Sequence, residues 1–197
     1  MQNNKTMFRN PILEFLSRSN PLVILLLHLI LISSVLGYGK NNFKFDWYSQ
    51  ISLFILGLIT WTLAEYLIHR FVFHLTGKLK ALKLLHYALH GHHHKNPTDK
   101  RHLFMPPIPV LFIVSIIFSL FYLIFGVSTF YFFPGFEFGY LVYSMIHYSV
   151  HVKPYSSGIM KSLWIHHGKH HFENSSLRYG VSSPFWDYIF RTLPDEK

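Results

Sequence analysis

The sequence predicts an all-α integral membrane protein in which four transmembrane helices carry a cytosolic helical cap with a histidine cluster. Three observations support this fold class. Half of the 197 residues are hydrophobic and only 14% are charged, whereas charged residues make up about a quarter of a soluble domain. Four apolar runs are long enough to form helices that cross a bilayer. The histidines cluster at the ends of these runs and in the segments that follow them.

Residues 1–20 form an amphipathic lead-in that we expect to lie on the membrane surface. Basic and apolar residues are interspersed there, and Pro11 limits the length of any helix. Residues 21–197 then form a single membrane domain. Its first span, residues 22–36, has an alternative interpretation as a signal peptide, because a basic start, an apolar core and small residues near the end also fit one.

Three further spans follow at residues 48–68, 109–125 and 130–147, and a tight link at residues 126–128 joins the last two. The runs approach the ~20 apolar residues that cross the hydrocarbon core of a bilayer. An even number of spans places both termini and the loop 70–107 on the same side of the membrane.

The basic residues favour one orientation of these spans. Of the 18 lysines and arginines, 16 lie in the termini or in the loop 70–107, and only Lys40 and Lys44 lie on the other side. Because basic residues mark the cytoplasmic side, we expect both termini and the histidine cluster in the cytoplasm. The membrane would be the endoplasmic reticulum in a eukaryote and the inner membrane in a bacterium. This topology explains the net charge of +9 without a nucleic-acid partner, and we predict none.

Ten of the 15 histidines repeat one spacing pattern twice. His90, His93 and His94 stand at i, i+3 and i+4, which share one helix face, so we expect their imidazoles to converge on a common point. A second triplet has the same spacing, and each triplet begins sixteen residues after a histidine pair. These further residues are His167, His170 and His171, with the pairs His69 and His74, and His147 and His151.

Convergent imidazoles predict a metal site, and a chain without cysteine must hold the metal with nitrogen and oxygen ligands. Ten ligands exceed the four of a zinc ion and the roughly six of an octahedral iron ion. We therefore predict two metal ions with about five histidines each, which leaves each ion an open position. The other five histidines depart from the spacing and are assigned structural or ligand-orienting roles: His28, His86, His92, His102 and His166.

Two features at the end of the second span leave alternatives open. His69 and His74 are five residues apart, about 140° around an ideal helix, so either they reach different metals or the helix loosens after Arg70. Glu65 lies one turn before His69. It either orients that ring through a hydrogen bond or serves helix packing.

Four segments of the chain resemble the fatty acid hydroxylase family. They read EYLIHRFVFH, HGHHHKNPTDKRHLFMPP, GYLVYSMIHYSVH and HHGKHHFENSSLRYGVSSPFWDYIF. The family belongs to the histidine-rich membrane diiron superfamily, which also contains acyl desaturases, sterol oxidases and carotenoid hydroxylases. The resemblance covers about residues 60–193 and is strongest to the group that acts on the 2-position of sphingolipid acyl chains. It implies a dimetal centre on the same ten histidines.

The resemblance also implies a reaction and its partners. The chain would be an O2-dependent monooxygenase that hydroxylates a fatty acyl chain, free or in a ceramide, with the lipid substrate in the membrane. Iron would fill both sites in the active enzyme, and zinc fits the same imidazole ligands. Many relatives carry a fused haem domain that donates electrons. The chain has no room for one, so we expect a separate electron-donor protein.

The resemblance leaves the catalytic residues beyond the metal ligands unassigned, with Tyr143 as a candidate. In the 2-hydroxylating group a Tyr-Asp pair precedes the first histidine of the fourth span, whereas Ser144 follows Tyr143 here, which bears on the substrate or the position of hydroxylation. Two alternatives stay open: a carotenoid or sterol-type hydroxylase of the same superfamily, and a metal transporter without enzymatic activity. Transporters usually place ionisable residues at the bilayer midplane, where only Glu65, Glu137 and His28 come near.

Overall fold

The computed structural model describes residues 6–75 and 77–194, and this part of the chain is helical with no β-strand. Its α-helices are α1 Pro11–Ser17, α2 Pro21–Asn42, α3 Trp47–Leu67, α4 Lys80–His86, α5 His92–Lys95, α6 Pro107–Phe125, α7 Thr129–Val152, α8 Gly158–Phe172 and α9 Phe185–Ile189. Two π-helical segments, Ile68–Phe73 and Tyr87–Gly91, continue α3 and α4, and the 3-10 turn Gly126–Ser128 joins α6 to α7. The all-helical part of the predicted fold class is confirmed.

Among the described residues, three helical segments are long and apolar enough to cross a membrane: Pro21–Asn42, Trp47–Phe73 and Pro107–Val152. The third segment contains both α6 and α7 and turns back on itself at Gly126, which has a φ of 54°. Phe118 packs on Phe133 with ring centroids 5.3 Å apart, and Phe121 packs on Phe132 at 5.0 Å. The segment is therefore a helical hairpin.

The long helices begin at residues that suit a helix N-terminus. The side chains of Asn20 and Asp46 accept the backbone N–H groups of Leu22 at 2.8 Å and Ser49 at 2.9 Å, which satisfies donors that a helix start leaves free. α2 runs on from the predicted end at residue 36 as far as Asn42. The small residues near residue 36 therefore lie inside a helix.

The centre of the bundle is the contact between α3 and α7, where the two backbones touch. A Cβ atom at Gly135 would lie 1.9 Å from the carbonyl oxygen of Phe54, and one at Gly57 would lie 2.0 Å from that of Phe132. Because no side chain fits in that space, both positions require glycine. This close contact brings the C-terminal ends of α3 and α7, which carry the two histidine pairs, to the same end of the bundle.

α2 packs on α7 through a buried polar pair. Nδ1 of His28 lies 2.6 Å from Oε1 of Glu137, and both side chains are buried. Since an unpaired polar group within a bilayer is costly, the contact gives Nδ1 of His28 and the Glu137 carboxylate a partner inside the protein. The outer face of α6 is apolar and open, with Leu123 81% exposed. That face is suited to contact with lipid.

The N-terminal lead-in contains the short helix α1, which begins at Pro11, a favoured first position of a helix. Ile12 and Phe15 are exposed on its outer face. The backbone N–H of Ser19 donates to the carbonyl of Arg101 at 2.9 Å. The lead-in is thereby tied to the loop that precedes α6.

Candidate metal centre

The first π-helical segment brings His69 and His74 to the same side of the chain. The backbone N–H of His74 donates to the carbonyl of His69, five residues earlier, at 3.3 Å, whereas an α-helix bonds residues four apart. The wider turn brings the two ring centroids to 5.1 Å. Of the two alternatives that the sequence left open, the structure has the loosened helix, and the loosening begins at Ile68.

The ten histidines with the repeated spacing come together in two groups of five. Within each group, one nitrogen of every ring lies within 4.8 Å of the others. The first group contains His69, His74, His90, His94 and His170, and the second contains His93, His147, His151, His167 and His171. This is the division expected from the sequence for two metal ions with about five histidines each.

The prediction that each triplet converges on one point is wrong. His90 and His94 belong to the first group, whereas His93 belongs to the second. At about 100° per residue, i+4 lies about 40° to one side of i and i+3 lies about 60° to the other, so a triplet faces two points. The second triplet splits in the opposite sense, with His167 and His171 in the second group and His170 in the first. Each triplet therefore contributes to both groups.

The facing nitrogens are spaced like ligands of a common ion. Nε2 of His90 lies 3.0 Å from Nε2 of both His69 and His94, and Nε2 of His147 lies 3.1 Å from Nε2 of His93. Two imidazoles at right angles on a metal with bonds of about 2.1 Å have nitrogens about 3.0 Å apart, and tetrahedral ligands have nitrogens about 3.4 Å apart. The donor sets thus fit one metal ion per group, with more than four ligands each.

Backbone carbonyls turn two rings of the first group towards its centre. Nδ1–H of His69 donates to the carbonyl of Tyr179 at 2.5 Å, and Nδ1–H of His170 donates to that of Leu177 at 2.7 Å. A ring that carries its proton on Nδ1 presents an unprotonated Nε2, which is the form that binds a metal. The loop 177–183 therefore sets both the tautomer and the direction of these two rings.

Glu65 does not make the hydrogen bond to His69 that one of its two interpretations required. Its carboxylate instead accepts the backbone N–H groups of Val181 and Ser182, each at 2.8 Å, and the hydroxyl of Ser182. Glu65 thereby holds the loop from which Tyr179 reaches His69. Its effect on His69 passes through that loop, because the carboxylate is already occupied by the loop's own donors.

Asp187, at the start of α9, holds the same loop and is fully buried. It accepts the N–H groups of Tyr179 at 2.7 Å and Gly180 at 2.8 Å, the hydroxyl of Thr192 at 2.7 Å, and a contact from Nε2 of His166 at 3.1 Å. Burial alone would raise the pKa of Asp187, but these hydrogen bonds hold that pKa below its usual value. The aspartate is therefore ionised and remains a strong acceptor.

Among the group histidines that lie outside the membrane-spanning segments, His74, His94 and His170 have a lowered pKa. Burial, which disfavours the charged form, lowers the pKa of His94 to about 3 and the pKa of His74 and His170 to about 4. Neighbouring imidazoles lower the pKa of His94 and His74 further. Because a metal binds neutral imidazole, these rings are available as ligands without first losing a proton.

A cavity of about 340 Å³ ends at the two groups. His90, His93 and His147 lie in its wall, beside Tyr143 and Ser144. The ring of Tyr143 lies nearly parallel to that of His147, with an interplanar angle of 6° and centroids 5.7 Å apart. Four other histidines of the groups are half-buried and lie outside this wall: His74, His94, His151 and His171.

A second cavity of about 250 Å³ adjoins the first and has almost wholly apolar walls. The two cavities share the residues Phe73, Leu89, Met105, Ile113, Tyr140 and Tyr143. The second cavity extends between α3, α6 and α7, as far as Trp61 and Phe136. Together the cavities form an apolar path that leads from the helical bundle to the histidines.

The histidines outside the repeated spacing lie outside both groups. His86 bonds the carbonyl of Phe73 through Nδ1 at 2.6 Å, and His166 bonds Asp187. Sequence reasoning missed Asp187 and the two carbonyls of the loop 177–183, because a carbonyl has no residue signature and a lone aspartate has no spacing. The signal was the segment YGVSSPFWDYIF, which contains Asp187.

Comparisons with known proteins relate the chain to one family. The family model described as fatty acid hydroxylase matches residues 54–192. A fatty acid 2-hydroxylase of Rattus norvegicus is 40% identical over 151 residues, which cover 75% of this chain and 41% of the relative. A dihydroceramide fatty acyl 2-hydroxylase of Arabidopsis thaliana is 34% identical over 96% of this chain and 80% of the relative. The chain thus spans about two fifths of the rat relative and four fifths of the plant one.

A solved structure is similar over nearly the whole chain. It is described as full-length scs7p with only the hydroxylase domain visible, and it aligns with a TM-score of 0.85 and 32% sequence identity. The alignment covers 95% of this chain and 71% of that one. The family indicated by the four sequence segments is confirmed.

The loop 177–183 supports a first prediction. Asp187→Asn places an amide N–H2 or a weaker acceptor against the backbone donors of Tyr179 and Gly180, so the carbonyl that orients His69 becomes less fixed. We expect metal affinity to fall about 10- to 100-fold, as for other residues that orient ligands. Metal retained after stepwise chelation of the purified protein measures this loss.

The matched control is Asp46→Asn. Asp46 caps α3 through the N–H of Ser49 at 2.9 Å, and asparagine caps a helix equally well. We expect this variant to retain metal like the parent. Parental retention by Asp187→Asn would show that the loop does not position His69.

Proposed function

The chain belongs to the fatty acid hydroxylase family, and we propose that it is a membrane-bound monooxygenase that inserts oxygen from O2 into a C–H bond of a fatty acyl chain. The substrate is a free fatty acid or an acyl chain within a ceramide or related sphingolipid. One observation carries the proposal: an apolar cavity ends at two groups of five histidines. The names of the relatives, which specify fatty acids and dihydroceramide acyl chains, support the substrate class.

We assign one metal ion to each histidine group, with iron in the active enzyme. A pair of iron ions bound there would supply the redox chemistry that oxygen insertion needs. The protein provides five neutral nitrogens per ion, which leaves room for one further ligand on a six-coordinate metal. Zinc fits the same donors, so the donor set does not identify the metal. Reconstitution with each metal tests which one supports activity.

The cavities support an orientation of the acyl chain. Its tail fits the apolar cavity that reaches Trp61 between the bundle helices, and its polar end fits beneath α1, where Leu13, Leu16 and Ser17 line the first cavity. His90, His93 and His147 line the first cavity, which would hold the polar end, so a carbon near the carboxyl end is presented to them. This placement agrees with 2-hydroxylation, the reaction in the names of the relatives.

Tyr143 is proposed as a positioning residue. Its ring lines both cavities and stacks on His147, so it fixes the wall of the path next to the second histidine group. Ser144 lies in the same wall and makes it less acidic than an aspartate would. The apolar residues around this point exclude water and hold the chain.

We further propose that a separate electron-donor protein approaches from the water-exposed side of the centre. The half-buried histidines outside the cavity wall, His74, His94, His151 and His171, support this access route. Lipid and electrons then reach the metal ions without competing for one opening.

The ligand assignment predicts the behaviour of histidine variants. His90→Ala, His147→Ala and His170→Ala each remove one nitrogen from a group whose spacing depends on all five members. We expect the two histidine groups of the parent to hold about two metals per chain after anaerobic reconstitution, fewer in each variant, and loss of hydroxylation in all three. Elemental analysis and lipid mass spectrometry of cells that express each protein provide the two readouts.

The control is Lys169→Ala, which removes an exposed side chain from α8 between His167 and His170. We expect it to keep both the metal and the activity. Each protein is first checked for folding, since metal loss also reduces stability. An active His147→Ala protein would refute the assignment, and hydroxylated carotenoid or sterol without hydroxylated acyl chains would refute the substrate.

The shared cavity wall predicts a change in chain-length preference. Ile113→Trp fills the passage between the two cavities, whereas Ile116→Trp on the same helix adds bulk outside both cavities. We expect Ile113→Trp to reduce hydroxylation of long acyl chains at least tenfold relative to short ones, with unchanged metal content. Competition assays with mixed chain lengths measure this ratio, and equal ratios in both variants would exclude the path as the acyl site.

We also propose that the α6–α7 hairpin supplies two membrane spans, which gives four spans with both termini and the histidine centre in the cytoplasm. The chain has no cysteine, so single cysteines at Lys44 and Lys80 report topology without background. We expect a membrane-impermeant thiol reagent to label them from opposite sides of sealed vesicles. Labelling from the same side would refute the four-span arrangement.

A further inference from the structure

A third cluster of possible metal ligands lies outside the two histidine groups. It consists of His92, Asp99 and His102, whose ligand atoms lie within 4.8 Å of one another. Nδ1 of His102 lies 2.8 Å from Oδ2 of Asp99, and Nε2 of His92 lies 3.6 Å from the same oxygen. Two imidazoles therefore face one carboxylate oxygen from different sides.

His92 carries a nitrogen that the protein leaves unused. The side chain is 2% exposed, and its Nδ1 lies 3.0 Å from the hydroxyl of Tyr87. Its Nε2 is buried and has no hydrogen-bond partner among the described residues. Buried polar atoms without partners are rare in proteins, and this one points at Asp99 from beyond hydrogen-bonding distance.

We propose that His92, Asp99 and His102 form a third cation site, for a divalent first-row transition metal such as Zn²⁺. Two histidines and one carboxylate are a common ligand set for these ions. A cation between the three side chains would use the free lone pair of His92 and leave its Nδ1 with Tyr87. The site is separate from the two histidine groups, since none of its three residues belongs to either.

The location of the cluster indicates a structural role. His92 lies in α5 between the ligands of the two groups, while Asp99 and His102 belong to the loop before α6. Nε2 of His102 lies 3.2 Å from the hydroxyl of Ser17, at the end of α1. A cation here would therefore join α5, the loop and the N-terminal helix that borders the first cavity.

A hydrogen-bonded network without metal explains only part of this geometry. Asp99 also accepts Nε–H of Arg101 at 3.3 Å, so Asp99, Arg101 and His102 form a network on their own. That network leaves Nε2 of His92 buried and unpaired. The two explanations differ in whether His92 and His102 bind a metal, which a direct ligation experiment decides.

The experiment uses the absence of cysteine from the chain. His92→Cys and His102→Cys each place the only thiol of the protein at a proposed ligand position, and Lys100→Cys places it at an exposed position of the same loop. The full-length variants are loaded anaerobically with Co²⁺. A thiolate bound to Co²⁺ produces a charge-transfer absorption band that imidazole and carboxylate ligands do not produce.

We expect the thiolate-to-cobalt band in His92→Cys and His102→Cys and none in Lys100→Cys. In parallel, His92→Gln and His102→Gln should each bind one equivalent of Zn²⁺ fewer than the parent, whatever the two histidine groups hold. Arg101→Gln, which weakens the network without removing a ligand, should bind as much as the parent. Absence of the band from both cysteine variants, or parental zinc content in both glutamine variants, would overturn the third site.

Discussion

Ten imidazole rings can share one buried volume only while they stay uncharged and keep their lone pairs turned inward. Two positive charges about 4 Å apart repel by about 4 kcal/mol even at an effective dielectric constant of about 20, and the facing nitrogens here are about 3 Å apart. Burial meets the first condition by lowering the pKa of rings such as His94. The second condition requires partners on the outer edge of the rings, and the loop 177–183 supplies carbonyls for two of them.

The helices meet this constraint through two departures from regular structure. Glycines at positions 57 and 135 let the backbones of α3 and α7 touch, so the histidine pairs at their ends approach the same triplets. The π-helical turn after α3 then puts His69 and His74, five residues apart, within one group. In a regular α-helix one of the two rings would point away. The unusual turn therefore accounts for the wider spacing of the first pair compared with His147 and His151.

The spacing of histidines predicted which ten residues assemble, because i, i+3 and i+4 relations are local properties of a helix. It did not predict how the ten divide, since the triplets interleave only after four helical regions have packed together. The hydrogen-bond partners of Glu65 could not be predicted for a similar reason. Its partners Val181 and Ser182 lie more than a hundred residues away, and no local pattern connects them. Long apolar runs predicted the helices, but α2 continues through Gly37 and Gly39 to Asn42, beyond the predicted end of the run at residue 36.

Each histidine triplet gives two rings to one group and one ring to the other. The rest of the protein nevertheless holds the two groups in different ways. In the first group, carbonyls of Tyr179 and Leu177 hold the outer nitrogens of His69 and His170. In the second, Nδ1 of His93, His167 and His171 is buried without a partner among the described residues, and ring packing, such as the stack of Tyr143 on His147, sets the geometry. Hydrogen bonds therefore restrict the rotation of these two rings in the first group, whereas packing alone restricts the three rings of the second. The second group provides two of the three group histidines in the wall of the 340 Å³ cavity, so the rings held by packing lie next to the proposed acyl path.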